Sequence, residues 1–294
     1  GKWSVTIDPA EPGGPHQLKI VGDKEIHIDD ILIGDVWVLS GQSNMELPIL
    51  RTLDLYEDEV KNVKNPNIRH FITPLSYNFQ KPEQDISGGN WVTANAKDIY
   101  EFSAVGYFFA KIINEKYNIP IGLIRTAIGG TPAEAWISEN TLKKFKRFQE
   151  PLNKCKDDNY VKSTIEREER WYEKWHIQLD KKDPGLNGNS TQWFSENYDD
   201  SMWDTLFLPR NFEGTELEEI KGSIWFRKEI NLKEKPTKGD VKLILGTLVD
   251  GDETYINGVK VGSTEYRYPP RRYSFSSKLL KKGKNIITVR LIIT

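Results

Sequence analysis

Two apolar runs constrain this chain more than any other feature. Residues 35–40, Asp-Val-Trp-Val-Leu-Ser, are apolar throughout their centre, as expected of a strand covered on both faces of a sheet. Residues 121–131, Ile-Gly-Leu-Ile-Arg-Thr-Ala-Ile-Gly-Gly-Thr, form a second such strand that ends in glycines. Between them, residues 103–117 have helical spacing, with Val105, Phe108, Phe109 and Ile112 on one apolar face, and Pro120 ends that helix. A strand, a helix and a strand in this order imply a right-handed parallel crossover. Residues 67–73, Asn-Ile-Arg-His-Phe-Ile-Thr, supply another candidate strand, so the middle of the chain is α/β.

The flanks are written differently. From Lys2 to Ile33, three segments alternate apolar and polar residues, with Glu-Pro-Gly-Gly-Pro at 11–15 as a turn after the first. That pattern is antiparallel β structure with one face in water. A long charged helix follows over Asp158–Lys182, with Trp171 and Trp175 as an i, i+4 packing stripe. The pattern breaks at residues 183–190, Asp-Pro-Gly-Leu-Asn-Gly-Asn-Ser. Beyond it come short β segments, including an Asn257-Gly258 pair between alternating arms, which signals a tight hairpin. Strands at this spacing without helical period suggest a sandwich of jelly-roll kind. The expected organisation is an N-terminal β region over 1–33, an α/β domain over 34–185 and a β-sandwich over 186–294.

At 294 residues the chain is long enough to bury a substantial core. Its 41 basic and 43 acidic residues balance, so no global field selects a nucleic acid or an acidic membrane. No apolar run reaches the ~18 residues a membrane span needs. Cys155 is the only cysteine, which excludes an internal disulfide and a cysteine-based metal site. The chain opens at Gly1 inside a strand-like pattern, with neither an initiating Met nor a signal peptide. It reads as processed or as a piece of something longer.

The first apolar strand ends on Gly41-Gln42-Ser43-Asn44. Ser43 is open to two readings: a helix cap, or a nucleophile at the carboxyl end of a parallel strand, where open α/β sheets bind ligands. The frame is not the G-x-S-x-G elbow, because Met45 stands at its final position. The second strand ends on Ile-Gly-Gly-Thr-Pro-Ala-Glu-Ala-Trp at 128–136. Glycines there allow backbone N–H groups to approach an oxyanion. The same residues also suit a plain strand-to-helix turn with Pro132 at the first helical position.

Taken together, the Gly-Asp-Val-Trp-Val-Leu-Ser-Gly-Gln-Ser-Asn-Met-Glu and Gly-Leu-Ile-Arg-Thr-Ala-Ile-Gly-Gly-Thr-Pro-Ala-Glu-Ala-Trp-Ile-Ser motifs resemble the sialate O-acetylesterase family of SGNH-type hydrolases. The leading β segments are similar to that family's N-terminal β region. The C-terminal strands are similar to its inserted, galactose-binding-like sandwich and to the sandwich of β-galactosidase-like enzymes. The resemblance implies a flavodoxin-like three-layer α/β fold in front and a jelly roll behind. It implies Ser43 as the nucleophile on an acetyl ester, with the N–H groups of Ser43 and Gly130 binding the oxyanion and Gly129 as the second candidate. The start of a helix after Ser43 would add a favourable dipole. No metal or organic cofactor is implied. The substrate class is an O-acetylated sialic acid or other glycan, and a role in polysaccharide processing would favour export.

The chain departs from the family at its base. An Asp-x-x-His motif and a preceding Gln-Gly-Glu segment are expected near the C-terminus, and neither is present. Of His16, His27, His70 and His176, none follows an Asp by three residues. The chain therefore reads as the front of an esterase plus its insert. It implies a partner segment carrying the base, and little activity by itself. Half a sheet would also leave an apolar edge uncovered.

The sandwich allows a rival reading, a non-catalytic glycan-binding protein. Trp193, Trp225 and Tyr266, with Trp203, Tyr255 and Tyr268, could form a sugar platform or could be core. Asp250 and Asp252 suggest calcium, but the spacing of a calcium loop is missing.

Overall fold

The computed structural model describes residues 4–8, 10–188, 191–237 and 239–294. They divide after Val161 into two compact units. The first opens with β1 (Gly13–Val21) and β2 (Glu25–Ile33), paired antiparallel with Leu18 opposite Ile28 and Ile20 opposite Ile26. Lys2 and Trp3 of the expected leading strand lie outside the described residues, and residues 4–8 carry no strand. The expected turn at Gly13-Gly14-Pro15 is the start of β1.

The chain continues through β3 (Asp35–Leu39), α1 (Ser43–Glu46), α2 (Leu53–Asn62), β4 (Lys64–Ile72), β5 (Trp91–Asn95), α3 (Ala104–Tyr117) and β6 (Ile121–Arg125). The short α4 (Glu139–Leu142) and α5 (Lys146–Cys155) follow. The sheet order is β3-β6-β4-β5, with β6 parallel to both its neighbours and β5 antiparallel to β4. Ile68, Leu123, Tyr107 and Phe102 are central to its core.

Two expectations about this sheet are corrected. First, β3 is not covered on both faces. It lies at the edge, and Val36 and Val38 are 60% and 63% exposed, leaving only Leu39 buried. Second, α3 does not bury Val105 and Ile112, which are at least half exposed; it buries Ala104, Gly106, Tyr107, Ala110 and Asn114. The reason is close approach. A Cβ at Gly106 would fall 2.3 Å from Leu39 Cδ1, so the helix meets the strand through its small residues. Phe109 instead meets the exposed Trp37 edge-to-face at 4.9 Å. The ends of α3 follow their local chemistry. The Ser103 hydroxyl accepts from Gly106 N–H, and Asn118 closes the helix in the left-handed region before Pro120.

The second unit contains most of α6 (Asp158–Lys182), the one-turn α7 (Pro184–Asn187) and six strands. These are β7 (Gly222–Leu232), β8 (Asp240–Gly246), β9 (Gly251–Ile256), β10 (Val259–Thr264), β11 (Arg271–Ser276) and β12 (Gly283–Ile293). One antiparallel sheet has the order β10-β9-β12-β7, and β11 pairs with β8 in another. Phe275, Val241 and Leu243 of the smaller sheet share a core with Ile256 and Ile287 of the larger. Asn257 and Gly258 have positive φ at the β9–β10 turn, as a two-residue hairpin requires. The molecule is thus mixed α/β with all-β segments.

Candidate functional site

The site is built from two loops that leave neighbouring parallel strands at their carboxyl ends. After Leu39 the first loop turns at Gly41 (φ +131) into the single helical turn α1. The N-cap of that turn is Gln42, not Ser43, and no side chain caps it. Ser43 is exposed, and its hydroxyl makes no hydrogen bond among the described residues. The cap reading of Ser43 therefore has no bond to support it. Because α1 is only four residues long, the expected dipole contribution is that of one turn.

The second loop leaves β6 and is sewn to the first by its backbone. The N–H groups of Thr126 and Ala127 donate to Leu39 O at 3.0 and 3.1 Å, and Ile128 N–H donates to Gly41 O at 3.0 Å. Side chains take over from there. Gln42 Nε2 donates to Thr131 O at 2.6 Å, and Gly129 N–H donates to Glu46 Oε2 at 2.5 Å. Thr131 Oγ1 donates to Ile128 O and accepts from Trp136 Nε1, closing the loop on itself. Pro132 precedes a short 3₁₀ turn, Ala133–Trp136, rather than an α-helix.

These bonds place Gly129 against the serine: a Cβ there would lie 3.4 Å from Ser43 Cβ. Gly130 has φ +77 and open space where a Cβ would stand. Among the described residues, the N–H groups of Ser43 and Gly130 have no backbone acceptor, whereas that of Gly129 is occupied. The arrangement presents an exposed hydroxyl and two unbonded backbone N–H groups on a pair of adjoining loops, the kinds of group that acyl transfer uses.

No histidine among the described residues touches Ser43. His16 lies on β1, and His27 lies on β2 beside Glu25 at 3.3 Å. His70 is 1% exposed on β4, stacked on Phe102 at 4.6 Å, with Nε2 accepting from Ser103 N–H at 3.4 Å. Burial, and then the charge of Arg125, push its pKa down to about 4, so it stays neutral. His176 lies on α6, between contacts with Tyr172 and Trp175.

In the second unit, Trp225 is 7% exposed, with Nε1 donating to Asp183, and Tyr255 is buried in a 4.5 Å stack with Phe194. Trp193 is half-buried and contacts Trp203 and Trp225. Tyr266 and Tyr268 are the exposed pair, 49% and 65%, with ring centres 6.3 Å apart. Asp250 binds Arg267, and Asp252 binds Arg271 and Tyr273. No cluster of three potential metal ligands occurs among the described residues. Nor does any described helix have the length and apolarity to cross a membrane.

Gln42 and Glu46 are the site residues that sequence reasoning missed. The signal for Glu46 was the Ser-x-x-Glu spacing of a capping box. Here, however, the carboxylate crosses to the other loop.

A family model for carbohydrate esterases, the sialic acid-specific acetylesterases, matches residues 33–165. The sialate O-acetylesterase of Rattus norvegicus is 31% identical over 155 residues, covering 48% of this chain and 28% of that protein. The human sialate O-acetylesterase is 29% identical over 152 residues, covering 48% and 29%. A solved carbohydrate acetylesterase from Xanthomonas citri aligns at 36% identity and a TM-score of 0.42, over 45% of this chain and 30% of that one. The chain thus spans under a third of the length of these curated relatives.

Proposed function

We propose that the chain, through residues 33–165, which match the family model of the sialic acid-specific acetylesterases, is the nucleophile-bearing part of a carbohydrate O-acetylesterase. Ser43 Oγ gives its proton to a base and attacks the acetyl carbonyl carbon. The carbonyl oxygen becomes an oxyanion between the N–H groups of Ser43 and Gly130. The sugar hydroxyl leaves with the proton from the base, and water then cleaves the acetyl-enzyme. The substrate is an O-acetylated sialic acid or another acetylated glycan. The observation that carries this reading is the exposed Ser43 hydroxyl, free of hydrogen bonds among the described residues, with Gly129 held against the serine by bonds between the two loops.

The base comes from a further segment bearing an Asp-x-x-His motif, because no described histidine reaches Ser43. That segment also adds to the sheet beside β3, its edge strand, and covers the face on which Val36 and Val38 meet solvent. In this reading, residues 34–185 are the first part of a three-layer SGNH domain, and 186–294 are a jelly-roll insert. The second reading, a glycan-binding protein, is favoured by one observation, the exposed Tyr266–Tyr268 pair.

Acetate release from an O-acetylated sugar tests the proposal. This chain alone gives background release. The protein supplied with the completing segment releases acetate, and Ser43→Ala lowers kcat by about a million-fold, as for other serine nucleophiles. Acetate release that survives Ser43→Ala, or fluorophosphonate that labels the completed protein elsewhere, sinks the esterase reading.

A further inference from the structure

We propose that Gln42 and Glu46 are positioning residues that clamp the second loop and thereby hold the Gly130 N–H beside the nucleophile; this rests on the esterase reading above. The two residues flank Ser43, one before it and three after it. Each sends its side chain across to the same three-residue stretch, 129–131. Glu46 accepts from the Gly129 N–H and Gln42 donates to the Thr131 carbonyl, so their bonds bracket Gly130 from both sides.

The bracketing matters because the backbone stitching stops one residue earlier. Ile128 N–H is the last group of this loop bonded to the first loop's main chain. Beyond it comes a Gly-Gly pair, the dipeptide with the widest conformational freedom. Gly130 sits at φ +77 with nothing packed where a Cβ would be, so its own contacts do not fix the direction of its N–H. A donor that must meet an oxyanion needs to be aimed before the reaction. The charge-assisted bond from Gly129 to Glu46 fixes the peptide just before the one that carries the Gly130 N–H, and the Gln42 bond to the Thr131 carbonyl anchors the chain two peptides after it. The clamp also decides between the two glycines: with Gly129 N–H taken up by the carboxylate, Gly130 is the donor left for substrate.

Glu46 has a second possible role, as an internal anion occupying a Gly129 donor meant for substrate. The two roles differ in sign. A clamp residue lowers turnover when removed, whereas an occupant of the donor site raises it.

Amide hydrogen exchange of the 294-residue chain labelled with 15N-glycine reads the clamp without any catalysis. In Glu46→Ala, exchange at Gly129 rises about 10-fold or more, as loss of a charge-assisted bond requires, while Gly122 within β6 is unmoved. Glu46→Gln, whose amide oxygen accepts the same bond, recovers much of the protection. Unchanged exchange at Gly129 in Glu46→Ala overturns the clamp. In the protein carrying its base, Glu46→Ala and Gln42→Ala each lower kcat with little movement in KM, by up to about 100-fold for a misplaced donor. A loosened loop with unchanged or faster turnover overturns the positioning role. Activity that persists in Ser43→Ala would instead condemn the esterase reading, and the exchange result would still judge the clamp.

Discussion

The two units of this chain treat buried charge in opposite ways. In the second, Arg271 and Asp252 are both fully buried, 2.7 Å apart, and Asp252 also accepts from Thr254 and Tyr273. Arg290 reaches Asp183 at 2.8 Å and Glu253 at 3.1 Å, and Asp183 further accepts from Trp225 and Ser223. Every carboxylate in these two sets is met by a guanidinium and by hydroxyl or indole donors. In the first unit, the fully buried ionisable group at the sheet is His70, which is kept neutral, while apolar Val36 and Val38 stand in solvent. The second unit is stitched from within by paired charges. The first pairs its half-buried Glu59 with Lys111 and Tyr107, ties two loops together beside Ser43, and leaves β3 at a sheet edge.

The sharpest way to break this contrast is Arg271→Ala. It leaves the Asp252 carboxylate buried without its cation, which costs about 3–5 kcal/mol. Urea unfolding followed by tryptophan fluorescence should show the loss. Replacing the pair together with apolar residues of similar volume should recover most of it. If Arg271→Ala loses under about 1 kcal/mol, the buried pairs are not what holds the second unit.

Next in size is the pH response of the first unit. His70 titrates near 6.5 when unfolded and at about 4 in the folded chain, so between these values the unfolded state binds the extra proton. The stability that neutral His70 contributes is therefore fully present above pH 6.5. It falls as the pH drops from about 6.5 to 4, by about 3 kcal/mol in all, and is level below that. His70→Gln should flatten this part of the profile, as measured by urea midpoints at pH 7, 5.5 and 4.5. An unaltered slope in that variant would assign the acid sensitivity to other groups.

Local chemistry was legible wherever it settled the structure by itself. The charged run at Asp158–Lys182 forms one helix over those residues, and Asn257-Gly258 makes the hairpin. The first half of residues 121–131 forms β6 and pairs in parallel with β3, while residues 126–131 with their glycines leave the sheet as a loop. What stayed hidden depended on partners far along the chain. The period of α3 was readable, but the face it buries was not. Large apolar residues looked inward by composition, yet Gly106 packs too closely on Leu39 to carry a side chain, and the buried face is Ala104, Gly106, Tyr107, Ala110 and Asn114. Strand β5 went unseen because Trp-Val-Thr-Ala-Asn is too short and too mixed to declare itself before pairing with β4. In the site, Ser43 and the two glycines could be found from their loops. Glu46 could not, because its spacing announces a local cap while its bond is made 83 residues away.

The smallest predicted effect is also the most informative about the bare strand. Val38 is 63% exposed on β3, so Val38→Thr removes almost no buried surface from this chain. Its unfolding midpoint should move by under about 0.5 kcal/mol, as surface substitutions do. A loss of 1 kcal/mol or more would mean that β3 is already covered in solution, and the contrast between the two units would weaken. If a further segment completes the sheet and packs a layer on the face that carries Val36 and Val38, the same substitution becomes buried. It should then cost about 1 kcal/mol or more, because an apolar group is replaced by a hydroxyl that must be desolvated. The same residue, measured in both settings, thus reports whether the solvent-facing side of β3 is a surface or one side of an interface.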